Sequence, residues 1–242
     1  MILSIDTSAA VAAALLDDDG ARLASGVVHE QRRHAELLAP MIVDLLAQVG
    51  AAPSDVTTVV AGTGPAPYTG LRVGLVTART YALARGATLL GAASLDAVAA
   101  QAVSDLGLRA GDAVLATSDA RRRQVYWARF LVRAHEGPYG APVLERTDGY
   151  DVGPAADLAG LADGATVVGQ GAALYPDVLD AADDAPLVPD PVVLARLALA
   201  RRDAGEEVGT APLYLRRPDV QVPAPRKRAI AVGGPADEGS VP

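Results

Sequence analysis

Two stretches of this chain carry residue types that could do chemistry. One is Asp6-Thr7-Ser8, directly after the apolar run Ile2-Leu3-Ser4-Ile5. A carboxylate at a strand end, beside hydroxyls, can hold a metal-bound water near a nucleotide phosphate; the plainer alternative is an Asp bonding to its own turn. The other is the glycine-rich stretch over residues 62–74, which includes Gly64, Thr69, Gly70 and Arg72. It follows the apolar run Thr57-Thr58-Val59-Val60-Ala61 and precedes residues with helical spacing. A glycine-rich turn from strand to helix offers backbone N–H groups at a helix N-terminus, where an anion can sit. The loop does not have Walker A spacing, because Leu71 stands where a lysine is required. Pro65 and Pro67 also remove two N–H donors. The loop therefore reads as a rigid turn that sets the start of a helix and displays Tyr68 and Arg72.

The remaining polar residues narrow the possibilities. His29 and His34 stand five apart, which does not place both on one helix face, and His135 lies in a Gly/Pro-bounded turn, so no metal site is expected. There are no cysteines, which excludes disulfides, thiol nucleophiles and thiolate metal sites. The formal net charge of −8 opposes autonomous nucleic-acid binding. Arg121-Arg122-Arg123 and Arg226-Lys227-Arg228 read as a solvated turn and a solvated tail, with a secondary RNA contact conceivable for the first. An RNase H-type nuclease would place Asp6 well and could recruit Glu36. It needs several clustered carboxylates, and the strand before the glycine loop ends without one.

The elements that position these residues follow from patterning. Residues 2–5, 11–16 and 22–30 read as three strands paired antiparallel, because the intervening turns are short. Leu37, Leu38, Met41, Ile42, Leu45, Leu46 and Val49 recur at helical spacing, which predicts a helix over 36–49 that ends at Gly50 and bends at Pro40 if that residue lies beyond the first turn. A strand over 57–61, a helix over 69–85, a strand over 88–92 and a helix capped by Ser94 follow. Residues 113–119 then repeat the opening, with an apolar strand ending in Asp119 and another strand over 125–132. Beyond these come a strand at 166–168 and helices near 155–161 and 192–203. The expected organisation is an α/β chain of two related lobes. The first covers residues 1–103, a reduced second covers 104–217, and the Pro/Gly/Ala-rich stretch 218–242 is a disordered tail. With half its residues hydrophobic, no signal peptide and no apolar stretch long enough to span a bilayer, the chain is expected to be cytoplasmic, without membrane contact. Helices 36–49 and 69–85 carry more apolar residues than one sheet-facing stripe needs, which points to a second buried face.

Four segments together resemble the bacterial TsaB family: residues 2–8, the loop 64–74, Asp119-Ala120-Arg121 with Val125-Tyr126, and Pro212-Leu213-Tyr214-Leu215-Arg216. They occur in order over residues 1–217. The resemblance implies two RNase H-like lobes of the actin/Hsp70/sugar-kinase (ASKHA) type, the second reduced. It implies a paralogue of the catalytic subunit TsaD that lacks TsaD's metal-binding histidines and needs no cofactor, serving in the formation of threonylcarbamoyladenosine beside the tRNA anticodon. It also implies a scaffold whose first-lobe helices pair with TsaD, with the ATPase TsaE joining, self-association when alone, and at most weak or indirect tRNA contact. On this reading Leu38, Met41, Ile42, Leu45, Arg72, Leu75 and Arg79 form the partner surface, while Asp6, Thr7, Ser8, Gly64, Thr69 and Gly70 are a vestigial nucleotide loop. The family loop usually reads Gly-Pro-Gly-Ser-Phe-Thr-Gly-Leu-Arg, and here Ala66, Pro67 and Tyr68 replace Gly, Ser and Phe, which removes a donor and a hydroxyl. The rival functions are an autonomous ATPase or small-molecule kinase, and a homodimeric regulatory module built on the same helices.

Overall fold

The computed structural model describes residues 1–30 and 33–216. The expected tail at 218–242 and its basic run lie outside the described residues. Strands β1 (Ile2–Asp6), β2 (Val11–Leu16), β3 (Arg22–Val28), β4 (Thr58–Gly62) and β5 (Thr88–Ala92) form one sheet in the order β3-β2-β1-β4-β5. β1 pairs antiparallel with β2 and parallel with β4, and β5 continues parallel. Helices α1 (His34–Gln48) and α2 (Tyr68–Arg85) make the crossovers and cover one face. Burial on both faces explains why β1 and β2 are apolar without alternation. Pro40 sits well inside α1, beyond its first turn.

The second sheet comprises β6 (Ala113–Asp119), β7 (Gln124–Ala134), β8 (Val143–Pro154) and β9 (Ala165–Val168), in the order β8-β7-β6-β9. This repeats the first sheet without a fifth strand, with the same alternation of antiparallel and parallel neighbours. The chain thus has two RNase H-like lobes, the second reduced. β8 has no counterpart in the sequence reading, because most of its residues are exposed and Glu145, Arg146, Asp148 and Asp151 leave no apolar alternation. The expected helix near 155–161 is a 3₁₀ turn followed by the four-residue α4 (Ala159–Ala162), and α5 (Gln170–Leu174) is equally short.

Two helices join the lobes. α3 (Ser94–Asp105) is buried through almost its whole length, with Ala97 and Ala100 packed toward the first sheet and Leu95, Val98 and Val103 toward the second. α6 (Pro191–Asp203) packs Val192, Leu194, Ala195 and Ala198 on the first sheet through Ile2, Ala14 and Leu16. The division at residue 104 makes no provision for this return of the chain. α6 is pinned to α3 and β8 by a buried group: Arg201 donates to Asp96 Oδ2 at 2.6 Å, and the Tyr150 hydroxyl donates to Asp96 Oδ1. Burial, and then the Asp96 carboxylate, push the Tyr150 hydroxyl well above its ordinary pKa. After α6, residues 207–216 strap the first lobe. Gly91 donates its N–H to Val208 O, Leu213 donates to Thr63 O, and Arg216 donates to Ala120 O in the second lobe.

Candidate functional site

Asp6 ends β1, and its side chain turns inward. Only 1% of the residue is exposed. Its Oδ1 accepts from the Ser8 N–H at 2.8 Å and from the Ser8 hydroxyl at 2.6 Å, and its Oδ2 accepts from the Ser94 hydroxyl at 2.5 Å. Ser94 therefore does not cap α3; it holds Asp6 and in turn accepts from the Gly64 N–H at 3.2 Å. Burial raises the Asp6 pKa above its ordinary value, and the Ser8 and Ser94 bonds oppose that rise. The carboxylate lies so close to the end of β4 that a Cβ on Gly62 would stand 1.9 Å from Asp6 Oδ2. A carboxylate consumed in this way is not available to position a metal-bound water.

Thr7 is also occupied. Its hydroxyl donates to Gly70 O at 2.8 Å and accepts from the Gly74 N–H at 2.9 Å, which fastens the first turns of α2 to the end of β1. Gly64 is buried with φ +87, a conformation that glycine adopts without penalty. Of the residues expected to form the vestigial loop, Asp6, Thr7 and Gly64 face the interior, whereas Ser8, Thr69 and Gly70 open into a cleft between the lobes. His34 and Pro67 join them, with Asp119, Arg121 and Gln170 opposite. The cleft volume is about 160 Å³, below the roughly 300 Å³ at which drug-sized ligand pockets begin.

The second-lobe wall is built by a strained turn. Arg121, Arg122 and Arg123 adopt φ values of 62, 53 and 61, in the left-handed region. Asp119 holds the turn, accepting the Arg121 N–H at 2.7 Å and pairing with Arg121 Nη1 at 3.1 Å. His34 and Gln170 were not foreseen as cleft residues: five-residue histidine spacing excludes a metal pair but says nothing of a lone histidine on a helix's first turn. Among the described residues no three His, Asp or Glu side chains gather so as to hold a metal ion.

The outer faces of α1 and α2 correct the expected partner surface. Ile42, Leu45 and Leu75 are at most 5% exposed and belong to the core beneath the helices, so they present no surface. Met41 is half-buried and packs toward Gly26 of β3. The excess apolar residues of α1 thus serve a wide sheet contact. Arg79 donates to Thr210 O at 2.7 Å, so it anchors the strap. Arg72 stacks its guanidinium 3.6 Å over the Tyr68 ring and donates to the Tyr214 hydroxyl at 3.1 Å, while the Tyr68 and Tyr214 rings lie 4.7 Å apart. Leu38, although buried, still floors a groove of about 520 Å³ between the helices, which is walled by Ala35, Ala39, Tyr68, Arg72, Val73 and Val76. Val76, in the groove wall, is 59% exposed, and Val43 of α1 and Leu83 of α2 are exposed at 64% and 87%. Among the described residues no helix is long and apolar enough to cross a membrane.

Two RNase H-like lobes facing a small cleft, with an apolar groove on the outer helices, define a two-lobed α/β protein. Residues 22–137 match the family model of TsaD, tRNA N6-adenosine threonylcarbamoyltransferase. The tRNA threonylcarbamoyladenosine biosynthesis protein TsaB of Escherichia coli is 33% identical over 129 residues, 53% of this chain and 54% of that protein. An uncharacterized protein of Mycobacterium tuberculosis is 34% identical over 222 residues, covering 91% of this chain and 93% of its own length. The solved structure of YeaZ from Pseudomonas aeruginosa superposes with a TM-score of 0.72 at 30% identity, covering 88% of this chain and 99% of that one. The chain belongs to the TsaB (YeaZ) family.

Proposed function

We propose that this chain serves tRNA threonylcarbamoyladenosine biosynthesis as a non-catalytic subunit that binds and stabilises a TsaD-like threonylcarbamoyltransferase. The observation that carries the reading is the contrast between its two concave surfaces. The cleft that would hold a nucleotide is reduced to about 160 Å³ and its strand-end carboxylate is turned inward. The groove between α1 and α2 is wide, apolar and open. It continues along α2 past Thr80, Tyr81 and Ala84. A partner covering this face could bury the roughly 800 Å² per side that a stable pair needs. The partner surface is accordingly redrawn around Ala35, Leu38, Ala39, Val43, Tyr68, Arg72, Val76 and Leu83. A TsaE-like ATPase would join the assembled pair, tRNA would be met chiefly through the catalytic partner, and the same face would join two copies when the chain is alone. The compartment is the cytoplasm, where tRNA is modified.

The test is titration against the TsaD-like protein of the same genome, with an assay of the modified nucleoside. Val76→Asp together with Val43→Asp is expected to weaken binding by about 2 kcal/mol or more and to leave the circular dichroism spectrum unchanged. Full affinity in the double variant would defeat the proposal. Micromolar ATP binding by the isolated chain would favour the autonomous ATPase.

A further inference from the structure

The groove between α1 and α2 is covered at one end by the chain's own C-terminal stretch. Tyr214 of the strap sets its ring 4.7 Å from Tyr68, and its hydroxyl accepts from Arg72 at 3.1 Å. Tyr68 and Arg72 are both groove wall. The strap then reaches the second lobe, where Arg216 donates to Ala120 O at 2.8 Å. Ala120 adjoins Asp119 and Arg121, which face Thr69 across the cleft, and Thr69 lines the cleft and the groove alike. The described residues therefore end beside the mouth of the groove, with residues 217–242 beyond them.

The chemistry of that segment complements the groove. Ala229-Ile230-Ala231-Val232 is an aliphatic run directly after Arg226-Lys227-Arg228. The helix that forms one wall, α1, presents exposed Glu36 and Asp44 and carries no lysine or arginine. Reach is sufficient: at about 3.3 Å per residue the chain from Tyr214 to Ile230 extends to roughly 50 Å, whereas α2 from Tyr68 to Ala84 is about 24 Å long. A tether of this kind holds the segment at an effective concentration of about millimolar, so a weak contact is enough.

We propose that residues 229–232 dock in the groove of their own chain, with Ile230 and Val232 against Ala35, Ala39, Val73 and Val76 and the basic run beside the α1 carboxylates. The contact removes exposed apolar surface from water, and its ionic part is screened by salt. The docking stands on its own; its consequence, that a partner or a second copy must displace the segment, rests on the reading of this face as the partner surface.

The chain has no cysteine, so a pair of introduced thiols reports one contact. In the whole chain, Val76→Cys is combined with Ile230→Cys. The control replaces Val76→Cys with Leu174→Cys, an exposed position on α5, the helix that carries Gln170 to the cleft. Circular dichroism confirms each fold, and disulfide closure is followed at low protein concentration. Closure within one chain is expected to be about tenfold faster at position 76 than at 174, and to slow when Arg226, Lys227 and Arg228 are all replaced by Gln. Equal rates at the two positions would overturn the proposal. So would disulfides joining two chains, which would seat a second copy in the groove. Ile230→Asp with Val232→Asp, in the chain without cysteines, is expected to raise affinity for the TsaD-like protein about fivefold by removing the competitor. Equal affinity beside preferred closure at position 76 would overturn the competition alone. Absence of any binding to that protein would defeat the partner reading and leave the cross-link result standing.

Discussion

The two lobes share one frame and use it differently. In each, a central strand ends in an aspartate, pairs antiparallel with the next strand and lies parallel to a later one. In each, a threonine near that strand end fastens the following helix. Thr7 accepts from the Gly74 N–H in the first lobe, and Thr117 accepts from the Ala172 N–H in the second. The aspartates then part ways. Asp6 is sealed between Ser8 and Ser94, whereas Asp119 meets the pocket and pairs with Arg121. The helices differ as well: α2 runs for 18 residues and α5 for five. The first lobe has helix enough to cover its sheet and still present an outer face. The second covers its sheet partly through α3 and ends as a wall for the cleft. The duplicated motif specifies the attachment of helix to strand, and the length of helix attached decides what the lobe can bind.

The sharpest way to break the comparison is to ask whether the lobes stand apart at all. Replacing Arg201 with Leu leaves Asp96 buried without its cation, a change worth about 3 kcal/mol or more. Because Asp96, Arg201 and Tyr150 tie α3, α6 and β8 together, urea denaturation is expected to stay a single transition shifted to lower midpoint. A second transition would show that the lobes unfold separately.

A smaller effect probes the threonine staples. A Cβ on Gly74 would lie 2.5 Å from Thr7 Oγ1, and one on Gly171 would lie 2.8 Å from Thr117 Cβ. Gly74→Ala is expected to cost about 2 kcal/mol of overpacking, even though alanine favours a helix by about 1 kcal/mol. Gly171→Ala should cost less, because five-residue α5 can shift as a unit. Equal losses in thermal melts would mean that α5 is held as firmly as α2.

The last contrast separates the aspartates. Asp6→Ala strands the Ser8 and Ser94 donors at a cost of about 1–3 kcal/mol, while Asp119→Ala loses a partly exposed ion pair worth about 1 kcal/mol or less. The pH dependence sharpens this. The folded chain holds Asp6 with a pKa above its unfolded value, so it binds more protons than the unfolded chain between those two values. The Asp6 contribution therefore falls as pH rises through that window and is flat above it. Asp6→Asn should abolish that contribution, seen as an altered slope of stability on pH in the acid range. An unchanged slope would show that Asp6 titrates as a solvated carboxylate.

Much of this was legible in the sequence, and what was missed has physical causes. The buried strands were readable because a strand covered on both faces must be apolar throughout, as in Ile2-Leu3-Ser4-Ile5 and Val11 to Leu16. β8 was not readable, since a second-lobe strand with wet faces keeps Glu145, Arg146 and Asp148 and gives no apolar period. The two-lobe repeat and the strand-end aspartates were visible as pattern. The helix faces were not: Leu45 and Leu75 are aliphatic, as Val43 and Val76 are, and packing sends the first pair inward and leaves the second in water.

The local chemistry of the chain determined its buried strands, the turn from strand to helix over residues 62–68, and the family to which it belongs, because turns, breakers and apolar runs act over a few neighbouring residues. Tertiary structure alone decided that Ser94 would meet Asp6 across 88 positions, that Arg72 and Arg79 would serve the strap at 210–214, and that His34 would face Arg121 across a cleft. Such meetings depend on how whole elements stack, and a side chain's type does not say which distant backbone will arrive beside it.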